Sequence, residues 1–438
     1  MRIAIIGSGP AAVAVHATLI KYKFPCSIVV IDKEIPTELS NTDVDLPYNL
    51  KTFRGSNLMY KNVLKTEEID RTNRYLLGSQ GLGGFSAVWG AVTDPSIGDF
   101  GVSLLKNDNP YIEKLLFPSC NVVKARSNYT IVRNELYLAV DQKLCTNCGE
   151  CLLGCKFRAI WSAAGYWENI DNLEFKSVDG VSYIKSQDYD EIAVFDSKKR
   201  KIGTYDQVFL AAGTLASLKI LIESKILSKA KLSQNDLQIV PWFTLSPLEL
   251  NSLNLSLASL SFNVQKNGMK AGYVQLYANL EKAKDLISNN VPLIKYVPDS
   301  FWRRISRHLG VAFIYFNSEI SQEIEFSAES KTIRTRILDS RDKRKKRKEV
   351  ARSTIRFLES RKLIPLTVLK RDEPVGRSFH VGSLKNLEDS EDFRGSFYGN
   401  RVVCVDGLAL DGVDAGHITS QIMRNAREIT KTIIEMRS

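Results

Sequence analysis

The densest chemistry in this sequence is the run CTNCGECLLGC, which sets Cys145, Cys148, Cys151 and Cys155 within eleven residues. Thiolates bind soft metals, and the spacing C-x2-C-x2-C-x3-C is one used for iron–sulfur ligation. Zinc, which four thiolates hold tetrahedrally, is an alternative, and unliganded or disulfide-linked thiols are a third. Where two such runs occur together, the fourth cysteine serves the other cluster. Here the run is single. Either all four thiolates close on one 4Fe–4S centre, or three do and Cys120 or no residue supplies the fourth, the last case giving a 3Fe–4S cluster. Lys156 stands where the two-cluster runs carry proline, so this is no ferredoxin domain. Cys26 and Cys404 lie on or beside apolar segments and read as buried thiols.

A second chemistry lies in two glycine-rich stretches. The strand Arg2 to Ile6 runs into GSGPAA and then a helix, so Gly7 permits a tight turn and Gly9 lets backbone approach a pyrophosphate. Ala12 is the small residue that allows helix against strand, and Asp32, twenty residues further on at the end of a second strand, can hold a ribose hydroxyl. This predicts a dinucleotide site without separating FAD from NAD. The stretch GSQGLGGFSAVWGA, Gly78 to Ala91, offers bare backbone at Gly81, Gly83 and Gly84 on which a flat ligand or phosphate can rest, and Ser86 adds a hydroxyl donor.

Three segments together resemble one family. GGFSAVWG is similar to the GG-x-S-x-x-W/N-G segment that lies along the flavin in the glucose–methanol–choline (GMC) oxidoreductases, and YDQVFLAAGTLASLKILIES resembles the element that closes their FAD domain. SFHVGSL around His380 and VVCVDGLALDGVDAGHITSQIMRNAREI around Asp406 and His417 resemble the closing signature. The resemblance touches the start, middle and end of the chain, and covers 226–370 only in kind. It implies FAD, with Gly7, Gly9, Ala12, Asp32, Gly83, Gly84, Ser86 and Asp406 beside it. A strand-end aspartate can equally cap a helix, so Asp406 is expected near the cofactor and no more. The resemblance also implies a catalytic pair over the flavin. His380 would be the general base that takes a hydroxyl proton as hydride leaves the same carbon, and His417 would hold the substrate oxygen. Many relatives read H-x-x-G-T/S where His380 is followed by Val381-Gly382-Ser383. Of the remaining histidines, His16 on the first helix and His308 in WRRISRH are expected to be structural. Relatives that tether FAD covalently carry histidine just before the tryptophan. Val88 occupies that position here, so FAD is expected to bind non-covalently. Certain relatives carry a cysteine-rich insertion at a similar point, in some of them a cluster that relays flavin electrons outward.

The elements that must position these groups follow from length and pattern. At 438 residues and 44% hydrophobic content, the chain is long enough for two cooperating domains with buried cores. The expected fold is α/β: a discontinuous Rossmann-like FAD-binding domain with an inserted α+β substrate domain built on an antiparallel sheet. The FAD domain is assigned to 1–105, 166–225 and 375–438, the cysteine-rich insertion to 140–165, and the substrate domain to 226–374 with parts of 106–139. LNLSLASLSFNV, AGYVQLYANL and GVAFIYFN read as its strands. A final helix from near His417 should bury Ile418, Ile422, Ala426, Ile429 and Ile433 and aim its N-terminal dipole at the anionic edge of a reduced flavin.

Net charge is +11, and Lys343 to Lys348 (KRKKRK) opens a further predicted helix. Its bland reading is a solvated face; the sharper one is contact with a membrane surface or an acidic partner. No nucleic-acid recognition module accompanies it. The opening MRIAIIGSGP has no signal-peptide pattern, and the reduced cysteine cluster suits a cytoplasmic location. The reading that unites these features is an FAD-dependent alcohol dehydrogenase that oxidises a CH–OH group, plausibly of a sugar or glycoconjugate. Its electrons would leave through the iron–sulfur cluster to a protein or quinone acceptor. The alternative is a flavin/iron–sulfur electron-transfer protein with no alcohol substrate.

Overall fold

The computed structural model describes residues 1–33, 60–62, 77–79, 82–87, 89–107, 109–125, 128–151, 155, 157–187, 191–248, 255–278, 280–288, 292–329, 332–372, 381–385 and 396–437. A six-stranded sheet forms the first layer, in the order Glu174–Val178, Ser27–Lys33, Arg2–Ile6, Gln207–Leu210, Val402–Cys404, Ser396–Phe397. All pairings are parallel except the last. Ile3, Ile5, Val29, Val30, Val208 and Val403 are wholly buried, which explains why these strands read as continuous apolar runs. The chain leaves Arg2–Ile6 toward one side of the sheet and later returns on the other at Gln207–Leu210. That reversal opens a crevice at the carboxyl ends of the two strands, where doubly wound sheets bind nucleotides.

Helices Pro10–Lys21 and Ile418–Arg437 pack against each other on this sheet. The last helix buries Met423, Ala426, Ile429, Ile433 and Ile434. Ile418 and Ile422, expected in that set, are only partly buried, because the inward face is centred one residue further on. Helix Thr214–Glu223 lies against a three-stranded antiparallel sheet formed by Val181–Gln187, Glu191–Asp196 and Lys201–Tyr205.

The second layer is an eight-stranded antiparallel sheet containing Leu260–Lys266, Met269–Tyr277 and Leu309–Phe316, the three segments with strand patterning. Along them, one set of alternate residues, Phe262, Val264, Val274, Leu276, Ala312 and Ile314, is buried beneath helix Arg341–Ser360 through Val350, Phe357 and Leu358. At about 1.5–3 kcal/mol for each large apolar side chain removed from water, this is a core in its own right. The opposite set, Tyr273, Gln275, Tyr277, Phe313 and Tyr315, faces the parallel-sheet layer, with Tyr277 and Phe313 ring centroids 4.8 Å apart. A further four-stranded antiparallel sheet joins Lys229–Gln234, Glu323–Glu329 and Thr332–Leu338 to Val381–Lys385 from the C-terminal region. Among the described residues no helix is long and apolar enough to cross a membrane.

Candidate active site

The first glycine turn is built for two different reasons at its two glycines. Gly7 has φ +106°, and a Cβ there would stand 2.3 Å from the Ala211 carbonyl oxygen, so the turn is closed against the returning strand. At Gly9 a Cβ would meet nothing within 4 Å. That open space lies at the N-cap of helix Pro10–Lys21, whose first turn has Pro10 at its start and no side-chain cap. Uncapped amides with no side chain in front of them fit a pyrophosphate. Ala12 is fully buried and lets the helix lie on the strand.

The turn is then tied to its distant partners. The Ser8 hydroxyl donates to the Asp32 carboxylate and accepts from the Gly83 amide at 2.9 Å, so the strand-end acid, the nucleotide turn and the second glycine stretch meet at one oxygen. Gly83 has φ +81°, and a Cβ there would stand 2.5 Å from the Ala164 nitrogen. Gly84, also left-handed, opens the short helix Gly84–Ala87. The Ser86 hydroxyl donates to the Gly83 carbonyl at 2.6 Å and accepts from the Ala163 amide at 2.9 Å, so its one proton is used within the protein.

The segment after the cysteines is the part of the site that sequence reasoning missed. Trp161 accepts from the Trp89 indole at 2.8 Å, and the Trp167 indole donates to the Ser8 carbonyl at 2.7 Å. Residues 159–167 thus brace both glycine stretches. Two tryptophans and a small-residue pair in WSAAGYW were the available signal.

Cys145, Cys148, Cys151 and Cys155 line one small, partly open cavity, walled by Phe157, Ile160 and Leu255. All seven cysteines of the chain are free, so the disulfide alternative is not what the structure holds. Yet among the described residues no three His, Cys, Asp or Glu side chains stand close enough to hold a metal ion. Backbone amides also point at the sulfurs: Ala159 donates to Cys155 Sγ at 3.2 Å, and Ser256 donates to Cys151. Such bonds favour the thiolate form of a cysteine. Burial, reinforced by the neighbouring thiols, pushes the Cys151 thiol up to about 11, so a bound metal would have to displace its proton. Cys120 is exposed, bonds the Val122 carbonyl, and takes no part in lining this cavity.

His417 precedes the last helix at the seam between the two layers. Its ring meets Tyr273 of the antiparallel sheet edge-on at 4.8 Å and hydrogen-bonds the Val92 backbone. Its Nδ1 is buried without a hydrogen-bond partner among the described residues. Burial, helped by the Lys270 ammonium, holds its pKa down to about 4 against an opposing pull from Asp94, so the imidazole is neutral near pH 7. Asp406 is buried and accepts from the Ser217 hydroxyl at 2.5 Å and the Leu408 amide at 3.0 Å, capping the short helix Gly407–Ala409. Burial raises its pKa to about 6. His380 and Val88, on which the expectations of a general base and of non-covalent FAD rest, lie outside the described residues, as does Gly81. His16 is buried against Tyr166 with a 2.8 Å bond, and His308 is bonded to the Thr244 carbonyl at 2.9 Å, both structural as expected.

No family model matches the chain, and no curated protein matches its sequence. Solved structures do. Pyridoxine 4-oxidase from Mesorbium loti superposes with a TM-score of 0.61 at 13% identity, covering 98% of each chain. Formate oxidase from Aspergillus oryzae, described for modification of its FAD, gives 0.65 at 9% identity over 99% of this chain and 98% of that one. The fold is shared end to end. At such identities the likeness is one of architecture, a Rossmann-like α/β fold.

Proposed function

We propose that the chain is an FAD-dependent oxidoreductase of the GMC type that oxidises a CH–OH group. The observation that carries this reading is the imidazole of His417, neutral at the seam of the two layers, whose buried Nδ1 has no protein partner among the described residues. Buried polar nitrogens are almost always satisfied, and an orphan at the seam of two layers is a place where a ligand oxygen completes the bond. Support comes from the nucleotide turn, where Gly9 leaves the space a pyrophosphate needs, and from the shared architecture with two oxidases, one of them described with FAD.

FAD, when bound, supplies the hydride acceptor. The Gly7–Gly9 turn and the helix it opens would hold its pyrophosphate, Asp32 its ribose, and Gly83 and Gly84 the flavin-side backbone. Val88 in place of the tethering histidine argues for non-covalent binding. The substrate hydroxyl binds at His417 Nδ1, which fixes its orientation, while His380 removes the hydroxyl proton. Tyr273, Gln275, Tyr277 and Phe313 lie on the sheet face turned toward that seam, and their aromatic faces with one amide would suit a sugar or glycoconjugate ring. The four cysteines fit an iron–sulfur cluster by donor set and by the two amides aimed at their sulfurs. It would serve as the way out for electrons toward a protein or quinone acceptor.

The test is anaerobic. Protein purified without oxygen is mixed with a panel of sugars, glycosides and simple alcohols, and the flavin absorption is followed. Bleaching by one class identifies the substrate. Reduction by light and a donor, but by no alcohol, would leave the electron-transfer reading in its place.

A further inference from the structure

Helix Arg341–Ser360 divides its cations in two. Those facing the body of the protein are neutralised: Lys343 pairs with Glu323 at 3.2 Å, and Arg347 with Asp236 at 3.2 Å and Asp339 at 2.9 Å. Arg344 and Lys346 also find carboxylates, Asp339 at 3.3 Å and Asp342 at 2.7 Å. The outward cations do not. Arg341, Lys345, Lys348, Arg352 and Arg356 are all exposed, and among the described residues none has an ion pair. Steps of four, three, four and four residues place all five on one side of the helix, opposite the buried Val350, Thr354, Phe357 and Leu358. The stripe is roughly 22 Å long at about 1.5 Å per residue. Beyond the helix the same segment exposes apolar side chains, Ile364, Val368 and Leu369 at 45%, 91% and 47%, followed by exposed Lys370 and Arg371.

We infer that this segment docks the protein on a membrane surface carrying anionic lipids. A straight, unneutralised row of cations has its complement in a plane of negative headgroups. The apolar residues beyond the helix favour a lipid interface over an acidic protein, because an interface accepts them at shallow depth without a matching pocket. A basic row with a modest apolar anchor supplies the two signals that stable peripheral binding requires. Anchoring of this kind would bring the protein to lipid-soluble redox partners, although the docking itself needs neither cofactor nor substrate.

The probe is a set of vesicles, phosphatidylcholine alone or with phosphatidylglycerol, sedimented with the full-length protein as purified. Binding is expected on the mixed vesicles only, falling as salt rises. Replacing Lys345, Lys348 and Arg352 together by Gln should weaken it roughly 10²-fold, three cations at about 1 kcal/mol each. Val368→Asp should weaken it with less effect on the salt dependence. A control triple variant at Lys198, Lys199 and Lys201, on the exposed hairpin of the three-stranded sheet, should bind as wild type, and unfolding curves of all variants should overlay. Equal binding to both vesicle types, or none to either, would overturn the inference, as would mixed-vesicle binding that survives the Lys345/Lys348/Arg352 change. Capture by soluble polyglutamate with no vesicle binding would assign the stripe to an acidic protein instead.

Discussion

Replacing each glycine of the first turn by alanine separates the part of the site that makes the fold from the part that takes the cofactor. At Gly7 the native φ of +106° lies outside the range an L residue adopts readily, and the new methyl would sit 2.3 Å from the Ala211 carbonyl oxygen. The left-handed backbone costs about 1–2 kcal/mol and the overpacking about 1–3 kcal/mol more, so Gly7→Ala should lose about 2–5 kcal/mol of stability. At Gly9 the backbone is extended, φ −73° and ψ −175°, and the methyl meets nothing within 4 Å. Alanine is a poorer N-cap than glycine, but the penalty is under about 1 kcal/mol, so Gly9→Ala should fold almost as wild type. Its methyl would occupy the space assigned to the pyrophosphate. The same overpacking cost, now felt only when FAD arrives, predicts roughly 5- to 150-fold weaker binding. Urea unfolding of the FAD-free proteins reads the first effect, and titration of flavin fluorescence reads the second. A Gly9→Ala protein that binds FAD with wild-type affinity would show that the space beside Gly9 is not the pyrophosphate's.

Further outcomes follow from the remaining groups. His16 and His417 are both held to about 4, below the value of about 6.5 for a free histidine. The unfolded chain therefore binds the protons first, and stability should fall as pH drops from about 6.5 to 4. Asp406, raised to about 6, binds its proton first in the folded state and works against that loss over the same window. Asp406→Asn should consequently steepen the acid loss in urea unfolding measured at pH 7 and 4.5; an unchanged pH dependence would contradict the buried-acid assignment. His417→Ala should keep FAD yet reduce the flavin roughly 10²- to 10⁴-fold more slowly in stopped-flow mixing with substrate, and a wild-type rate would remove His417 from the chemistry. On the proposed cluster reading, the wild type should show the broad visible absorption of thiolate-bound iron, and Cys148→Ser should abolish it while leaving flavin bands and a single reductive turnover intact; zinc without iron in the wild-type protein would end that reading.

The sequence by itself determined the features that are local. A strand ending in Gly7-x-Gly9, a small residue at Ala12 and an acid at Asp32 require only that neighbours in the chain be near in space, and the structure has the expected strand, turn, helix and second strand in that order. The three strand-patterned segments and the basic helix were legible for the same reason, since alternation and helical spacing are imposed by short-range geometry. Register was less so: the last helix turned its face by one residue, which only the sheet beneath it could fix. The tertiary structure alone decided which distant groups meet. Nothing in the chain said that Ser8 would join Asp32 to Gly83, that Trp89 and Trp161 would bond, or that the outward cations Arg341, Lys345, Lys348, Arg352 and Arg356 would have no ion pair among the described residues while Arg347 found Asp236. It also decided the state of His417. A histidine's pKa is set by burial and by charges brought from elsewhere in the sequence, here Lys270 and Asp94, and those distances exist only once the two layers have closed on each other.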